Sequence, residues 1–265
     1  MAALERMIRV YDRTMRSSHQ RRYYENSGYF NFGYWNAGVT SQRQACDALV
    51  DQLVARIGDR NGAILDVACG LGASSERLAL SWPAQEITGI NISPAQIAAA
   101  QARAPGSTFL VMDATKLAFP DGHFSAVICV EAAFHFDTRE KFLQEAFRVL
   151  KPGGSLVLSD ILFRAVPKAV IEFGRVPAAN LEPSVEAYRA RLAATGFADI
   201  DITDATDRCL GAFCRNLAGW AGRERRAGRM PWPRSLATSL VFRLLAGYFG
   251  LLGRSYLLVS ARKPQ

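Results

Sequence analysis

Histidine and paired cysteine are scarce in this chain, and both shortages remove chemistry. Its 265 residues hold three histidines, His19, His123 and His135, and five cysteines, Cys46, Cys69, Cys129, Cys209 and Cys214. No two cysteines stand as C-x-x-C and no histidine lies at ligand spacing from one, so neither a zinc site nor a disulfide framework is expected, and no other metal is implied. Unpaired cysteines fit a reducing, cytoplasmic setting. There is no low-complexity tract and no internal repeat, which argues against disorder and against a solenoid. No basic flank followed by an apolar run opens the chain, so no signal peptide is expected. The most apolar late stretch, 236–259, is broken by Arg243, Arg254 and several glycines. A spanning helix needs roughly 20 nearly uncharged residues, and a soluble protein without stable membrane insertion is the expectation.

What is present is ordinary globular material, 49% hydrophobic and 21% charged, with a formal net charge of +8. The charge is uneven. Residues 1–22 carry six arginines against Glu5 and Asp12, and residues 208–234 carry seven against Glu224. Residues 23–207 hold fifteen basic and twenty-one acidic residues, so the basic excess sits in the appendages. Only Phe213, Trp220 and Trp232 interleave with the second arginine cluster and no nucleic-acid motif appears, so no nucleic-acid partner is expected. Solvated helix faces account for most of this charge. An anionic substrate or an acidic membrane surface is the minor alternative.

Short apolar runs at 63–68, 86–90, 108–112, 126–130 and 155–159 alternate with helical patterns at 74–81, 94–104 and 139–150. Runs apolar on both faces suit parallel strands buried between helix layers. Ser93-Pro94 reads as an N-cap with proline at the first helical position. Lys151-Pro152-Gly153-Gly154 stops a helix and turns the chain. Repeated strand–helix alternation predicts an α/β doubly wound sheet. A weaker sixth strand at 198–203 follows a helix at 185–195 with its Gly196 stop, and a last strand falls at 255–261. A helix at 46–57 precedes the first strand. Segments 161–183 and 208–253 fall outside the alternation and are expected as helical cap insertions over the site. The division is therefore 1–45 as N-terminal helix and lid, and 46–265 as the main domain.

The sharpest signal is Leu65-Asp66-Val67-Ala68-Cys69-Gly70-Leu71-Gly72. A strand enters a glycine-rich turn and then a helix, which aims backbone N–H groups at a ligand. Glycines let the backbone approach closely. A dinucleotide site would want a third glycine where Ser75 stands and an acidic residue where Asn91 stands. Asp66, four residues before Gly70, suits instead a ligand with an ammonium group and no pyrophosphate. Taken singly, Gly70 and Gly72 could form a bare turn, and Asp113 or Glu131 could cap neighbouring helices.

These motifs resemble, in order and spacing over about residues 30–165, those of the class I S-adenosylmethionine-dependent methyltransferases of the type 11, small-molecule kind. The resemblance implies a Rossmann-like sheet of about seven strands with S-adenosylmethionine as cofactor. It assigns the methionine end to Asp66, Ala68, Gly70 and Gly72, the ribose and adenine to Asn91 and Ile92 at the second strand end, and the adenine amino group to Asp113 beside Ala114. Cys129-Val130-Glu131-Ala132 and Leu150-Lys151-Pro152-Gly153-Gly154 match later motifs, with Val130 at the donor. Asn91 departs from the usual acidic residue, which weakens the expected ribose contact.

His19 and His123 lie among polar neighbours and are expected to be exposed. His135 follows the fourth strand, at the carboxyl edge where ligands bind in doubly wound sheets. Asp160 is expected to end the adjacent fifth strand, so a His135–Asp160 pair could deprotonate a hydroxyl. The plainer alternative is a histidine that shapes the pocket wall. Glu131-Ala132-Ala133-Phe134-His135-Phe136 resembles the subgroup that methylates sugars, macrolides and sterols. In its C-methyltransferases an acidic residue, here Glu131, steadies a carbocation or takes the proton. O-methylation of a natural-product-type hydroxyl is the first expectation, isoprenoid C-methylation the second, and a non-catalytic donor-binding module the third.

The run 23–35 is unusually aromatic and ends Gly33-Tyr34-Trp35, similar to the lid segment of that subgroup; Gly28 and Gly33 make a regular helix there improbable. Tyr29, Tyr34, Trp35 and Phe134 are the expected acceptor contacts. Aromatics of the cap, Trp220, Trp232, Phe242, Tyr248 and Phe249, point to an apolar or aromatic small-molecule acceptor. The arginine-rich N-terminal helix leaves room for a homo-oligomer.

Overall fold

In the computed structural model, which describes residues 2–164 and 176–265, seven strands form one sheet in the order β3-β2-β1-β4-β5-β7-β6. The strands are β1 (Ile64–Val67), β2 (Ile87–Asn91), β3 (Thr108–Val111), β4 (Phe124–Val130), β5 (Leu150–Phe163), β6 (Ala198–Asp204) and β7 (Gly253–Arg262). β1 to β5 pair in parallel, whereas β7 runs antiparallel between β5 and β6. The chain order reverses beside β1, between β2 and β4, and that switch point is where open α/β sheets bind ligands. Every residue of β1 is buried, Asp66 among them, between Ile64, Leu65 and Val67.

The fifth strand is longer than its apolar run. It pairs with β7 as far as Phe163, so Asp160 lies inside the strand opposite Leu257 instead of at its end. Strand alternation then fixes its direction. Val157 and Ile161 face one hydrophobic core, and Leu156, Leu158, Leu162 and therefore Asp160 face the other.

Helices α1 (Ala2–Arg16), α2 (Ser18–Tyr23) and α3 (Gln42–Val54) precede the sheet. α4 (Ala73–Leu78) and α5 (Pro94–Arg103) follow β1 and β2, and α6 (Arg139–Val149) and α7 (Val185–Thr195) flank β5. Ser93 caps α5 by accepting from Gln96 N, with Pro94 in the first turn, and Gly196 ends α7 at φ 108°. The aromatic stretch 27–35 is irregular, with Gly28 at φ 82° and Gly33 at φ 75°. A side chain at Gly33 would lie 2.5 Å from Ala45 Cβ, so this crossing over α3 requires glycine.

The late insertion is a hairpin of α8 (Ala212–Arg226) and α9 (Trp232–Leu252). Its aromatics do not behave as one set. Phe213, Trp220 and Phe242 pack round Tyr23, while Phe249 packs on Phe32 and Phe213, so these rings fill the core beneath the aromatic stretch. Trp232 faces solvent. α9 is long and apolar enough to cross a membrane, although the sequence run beginning at 236 falls short of that, because the helix starts earlier and holds only Arg234 and Arg243 as charges. Much of the early insertion, 165–175, lies outside the described residues.

Candidate active site

The glycine-rich turn leaves β1 with three successive departures from ordinary backbone: Ala68 at φ 60°, Gly70 at φ 56° and Gly72 at φ 82°. A Cβ on Gly72 would sit 2.8 Å from Ala100 Cα, so glycine lets α4 and α5 approach. At Gly70 the first atom met would be Met15 Cε, at 3.7 Å, so that glycine faces α1. Asp66 is fully buried. Its Oδ2 accepts from Ser74 Oγ and Ser75 Oγ, both at 2.6 Å, while Oδ1 is buried with no hydrogen-bond partner among the described residues. Burial pushes its carboxyl up to about 6, against the opposing pull of the two serines. A buried acceptor left open is costly, and it marks where a ligand donor fits.

At the end of β2, Asn91 turns inward. Its Oδ1 accepts from Ser93 N at 3.0 Å and its Nδ2 donates to Gln96 Oε1 at 3.1 Å. The carboxylate nearby comes from α1: Asp12 Oδ1 accepts from Ser93 Oγ and from Gln96 Nε2, both at 2.8 Å. Sequence reasoning missed Asp12, Met15 and Tyr11. Their spacing places them together on one helical face, but nothing local says which surface that face covers. Asp113 closes its own turn, with Oδ1 accepting from Thr115 N and Thr115 Oγ1 at 2.8 Å. Ala114 is buried beside it, and Ile92 and Val130 are half-buried at their strand ends. A cavity of about 200 Å³ opens between the first two helices and α5, bordered by Asp12, Met15, Tyr29, Leu71 and Gln96.

His135 closes a short 3-10 turn after β4. Its Nε2 lies 2.6 Å from the Tyr11 hydroxyl, and the two rings meet edge to face. Asp160 is not its partner among the described residues. The Asp160 carboxylate is wholly buried on the α6–α7 side, accepting from Arg139 Nε at 2.7 Å and Tyr188 OH at 2.8 Å through Oδ2, and from Ile161 N at 2.9 Å through Oδ1. The strand alternation described above is the reason. Arg139 is equally buried, stacks over Tyr188 at 5.2 Å and donates to Asn180 O and Ile161 O. Asn180 in turn donates to Phe134 O at 3.0 Å and Phe136 O at 2.8 Å. Asp160 is thus joined through Arg139 and Asn180 to the backbone either side of His135.

Glu131 is half-buried and joins two segments distant in the chain. Its Oε2 accepts from Phe32 N at 2.9 Å and Tyr256 OH at 2.7 Å, so it pins the aromatic stretch to the sheet. Enclosure there pushes its carboxyl up to about 8, with the neighbouring Asp160 charge adding to the rise. The expected acceptor contacts divide. Phe134 is buried against His135 and Phe163. Tyr29 points its hydroxyl into α3, donating to Asp47 at 2.9 Å, although its body borders the cavity. Tyr34 lies under the Arg208 guanidinium, and Trp35 donates from Nε1 to Phe32 O. Both brace the aromatic stretch.

Residues 65–158 match the family model for a methyltransferase domain. The chain is 30% identical to the 27-O-demethylrifamycin SV methyltransferase of Amycolatopsis mediterranei, over 82% of this chain and 82% of that protein. The chain belongs to the S-adenosylmethionine-dependent methyltransferases. This methyltransferase is also 36% identical to the 2-methyl-6-phytyl-1,4-hydroquinone methyltransferase of Synechocystis sp., over 54% of its own length and about half, 48%, of that relative. Among solved structures it resembles the [4+2]-cyclase SpnF, with 26% identity, a TM-score of 0.66, and 95% and 96% of the two chains covered. The sheet order and the glycine-rich turn agree with the fold of the family, whose cofactor is S-adenosylmethionine. The site fits that cofactor on its own evidence: the Asp66 Oδ1 acceptor, buried and without a partner among the described residues, suits an ammonium group.

Proposed function

We propose that this methyltransferase transfers a methyl group to a hydroxyl of a small, apolar natural-product-type acceptor, with His135 as the general base. The observation that carries the reading is the 2.6 Å contact between His135 Nε2 and a phenolic hydroxyl. A neutral imidazole nitrogen at that position accepts a hydroxyl proton, which is what O-methylation demands of the protein. Similarity to the rifamycin enzyme supports a hydroxyl over an alkene acceptor.

S-adenosylmethionine supplies an electrophilic methyl on a sulfonium centre. Asp66, Gly70 and Gly72 would hold its methionine end, and Asn91, Ile92, Asp113, Ala114 and Val130 its nucleoside end. We assign the ribose hydroxyls to Asp12, the carboxylate that α1 brings to Ser93 and Gln96 where Asn91 supplies none. Phe134 and the neighbouring rings give the acceptor an apolar wall, and closure of α1 over the turn excludes water. His135 takes the proton. Arg139, Asn180 and Asp160 fix the loop that carries it. Five free cysteines, four of them buried, support a reducing compartment such as the cytoplasm.

The test is turnover of wild type, His135→Ala and Glu131→Gln on hydroxyl and alkene acceptors, with donor binding followed by calorimetry. Loss of hydroxyl methylation in His135→Ala with donor binding intact supports the assignment. Methylation confined to alkenes, abolished by Glu131→Gln and indifferent to His135→Ala, refutes it. Similarity to the cyclase supports a second reading, in which the donor pocket assists a rearrangement. Mass spectrometry separates the two, because a methylated product is heavier and a rearranged one is not.

A further inference from the structure

The α8–α9 hairpin carries an apolar ridge that no other part of the described residues covers. The inner face of α9 packs conventionally: Ser235 Oγ donates to Ala221 O at 3.1 Å, and Phe242 and Ala246 are buried against α8 and the core. The outer face repeats Trp232, Leu236, Leu240 and Leu244 at intervals of four and continues at Leu251, each more than half exposed. Residues four apart lie in one line along a helix. Only 28% of the most apolar window of α9 is buried, whereas a core helix is mostly enclosed. Contiguous exposed apolar surface of this kind marks an interaction site.

Charge identifies the partner. Between residues 208 and 254 there are nine arginines and one acidic residue, Glu224. Glu224 is buried and neutralised by Arg22 and Arg229. Arg223, Arg225, Arg226 and Arg229 are exposed around the hairpin tip, and Arg234 and Arg243 are exposed on α9 itself. The combination is an apolar ridge set in positive charge, with a tryptophan at the charged end. A two-fold pairing of this face with itself would set arginines against arginines. A membrane span is likewise disfavoured, because α9 keeps two arginines and a face packed against α8.

We infer that this hairpin docks on an anionic lipid bilayer, lying in the interface with Trp232, Leu236, Leu240 and Leu244 in the acyl boundary and the arginines among acidic headgroups. Such docking brings an apolar acceptor dissolved in the bilayer close to the enzyme, and it stands whichever acceptor atom is methylated.

The experiment is flotation of the full-length protein with vesicles of phosphatidylcholine alone and of phosphatidylcholine mixed with phosphatidylglycerol, with light scattering of the protein in solution. Binding to the phosphatidylglycerol vesicles, weak binding to the neutral ones and a blue shift of tryptophan emission are expected. Leu240→Glu should weaken binding by about tenfold or more, the scale set by losing one buried leucine, while its melting temperature and S-adenosylhomocysteine binding match the wild type. Arg225→Glu with Arg226→Glu should abolish the preference for anionic vesicles. Equal binding to both vesicle types, or none to either, overturns the proposal. A dimer that Leu240→Glu dissociates overturns it too, and makes the ridge a self-association surface.

Discussion

Tyr11 Oη and His135 Nε2 lie 2.6 Å apart although 124 residues separate them in the chain. The first helix of the protein and the loop after the fourth strand therefore meet over the glycine-rich turn, and a base at that loop works under a cover that α1 provides.

Removing the two partners should have different consequences. His135→Ala is expected to lower kcat on a hydroxyl acceptor by about 10²- to 10⁴-fold, the usual range for loss of a general base. Tyr11→Phe keeps the ring and the imidazole, so a smaller loss and a displaced acid limb of the pH–rate profile are expected. Steady-state kinetics across pH check both; equal losses in the two variants would remove His135 from the chemistry.

Asp12→Ala should weaken donor binding while leaving the fold intact, because the residue is half-buried on a surface helix and its role is to bring a carboxylate to Ser93 and Gln96. Losing one charge-assisted contact corresponds to about a tenfold change in Kd. Calorimetry with S-adenosylhomocysteine measures it, and an unchanged affinity would dismiss Asp12 from the site.

Asp160→Ala strands the Arg139 guanidinium in the core. Breaking a buried ion pair from one side costs about 3–5 kcal/mol, so a large fall in melting temperature is expected. His135→Ala, at a half-buried loop position, should melt close to the wild type. If Asp160→Ala instead melted normally and lost only turnover, the carboxylate would be acting on the reaction directly.

Stability should fall as pH rises from about 4.5 to 8. Burial raises Glu131 to about 8 and Asp66 to about 6, so the folded chain holds protons that the unfolded chain has released. Between the ordinary carboxylate value and the raised one, each such group removes about 1.4 kcal/mol per pH unit; above the raised value the loss is complete and constant. Urea midpoints at pH 5 and pH 8 test this. Glu131→Gln, which keeps an acceptor for Phe32 N and Tyr256, should remove the slope above about 6 and reduce it below, whereas Asp66→Asn should change only the part below about 6.

The strands, the glycine-rich turn and the capped helices were legible because each is announced locally, as at Ser93-Pro94 and Gly196. The turn inward of Asp160 was also present in principle, since it shares parity with Leu156, Leu158 and Leu162. It was obscured because β5 reads as apolar only to 159, and the antiparallel partner that extends it lies about a hundred residues later. The partners of Glu131 were not legible at all: Phe32 and Tyr256 sit at opposite ends of the chain and are joined only by tertiary packing. The aromatics of α8 and α9 look alike in the sequence, yet Trp220 fills a core and Trp232 meets solvent, a difference set by the face of its own helix on which each ring lies.

Tyr11, Asp12 and Met15 ride on a single helix, with His135 at one point of contact and the donor-side residues Ser93, Gln96 and Gly70 at others. A ligand on either side therefore lies under the same helix, so a displacement of α1 reaches both sides at once. If occupancy on one side shifts α1, the affinities on the two sides are linked, and each alters the other by the same factor.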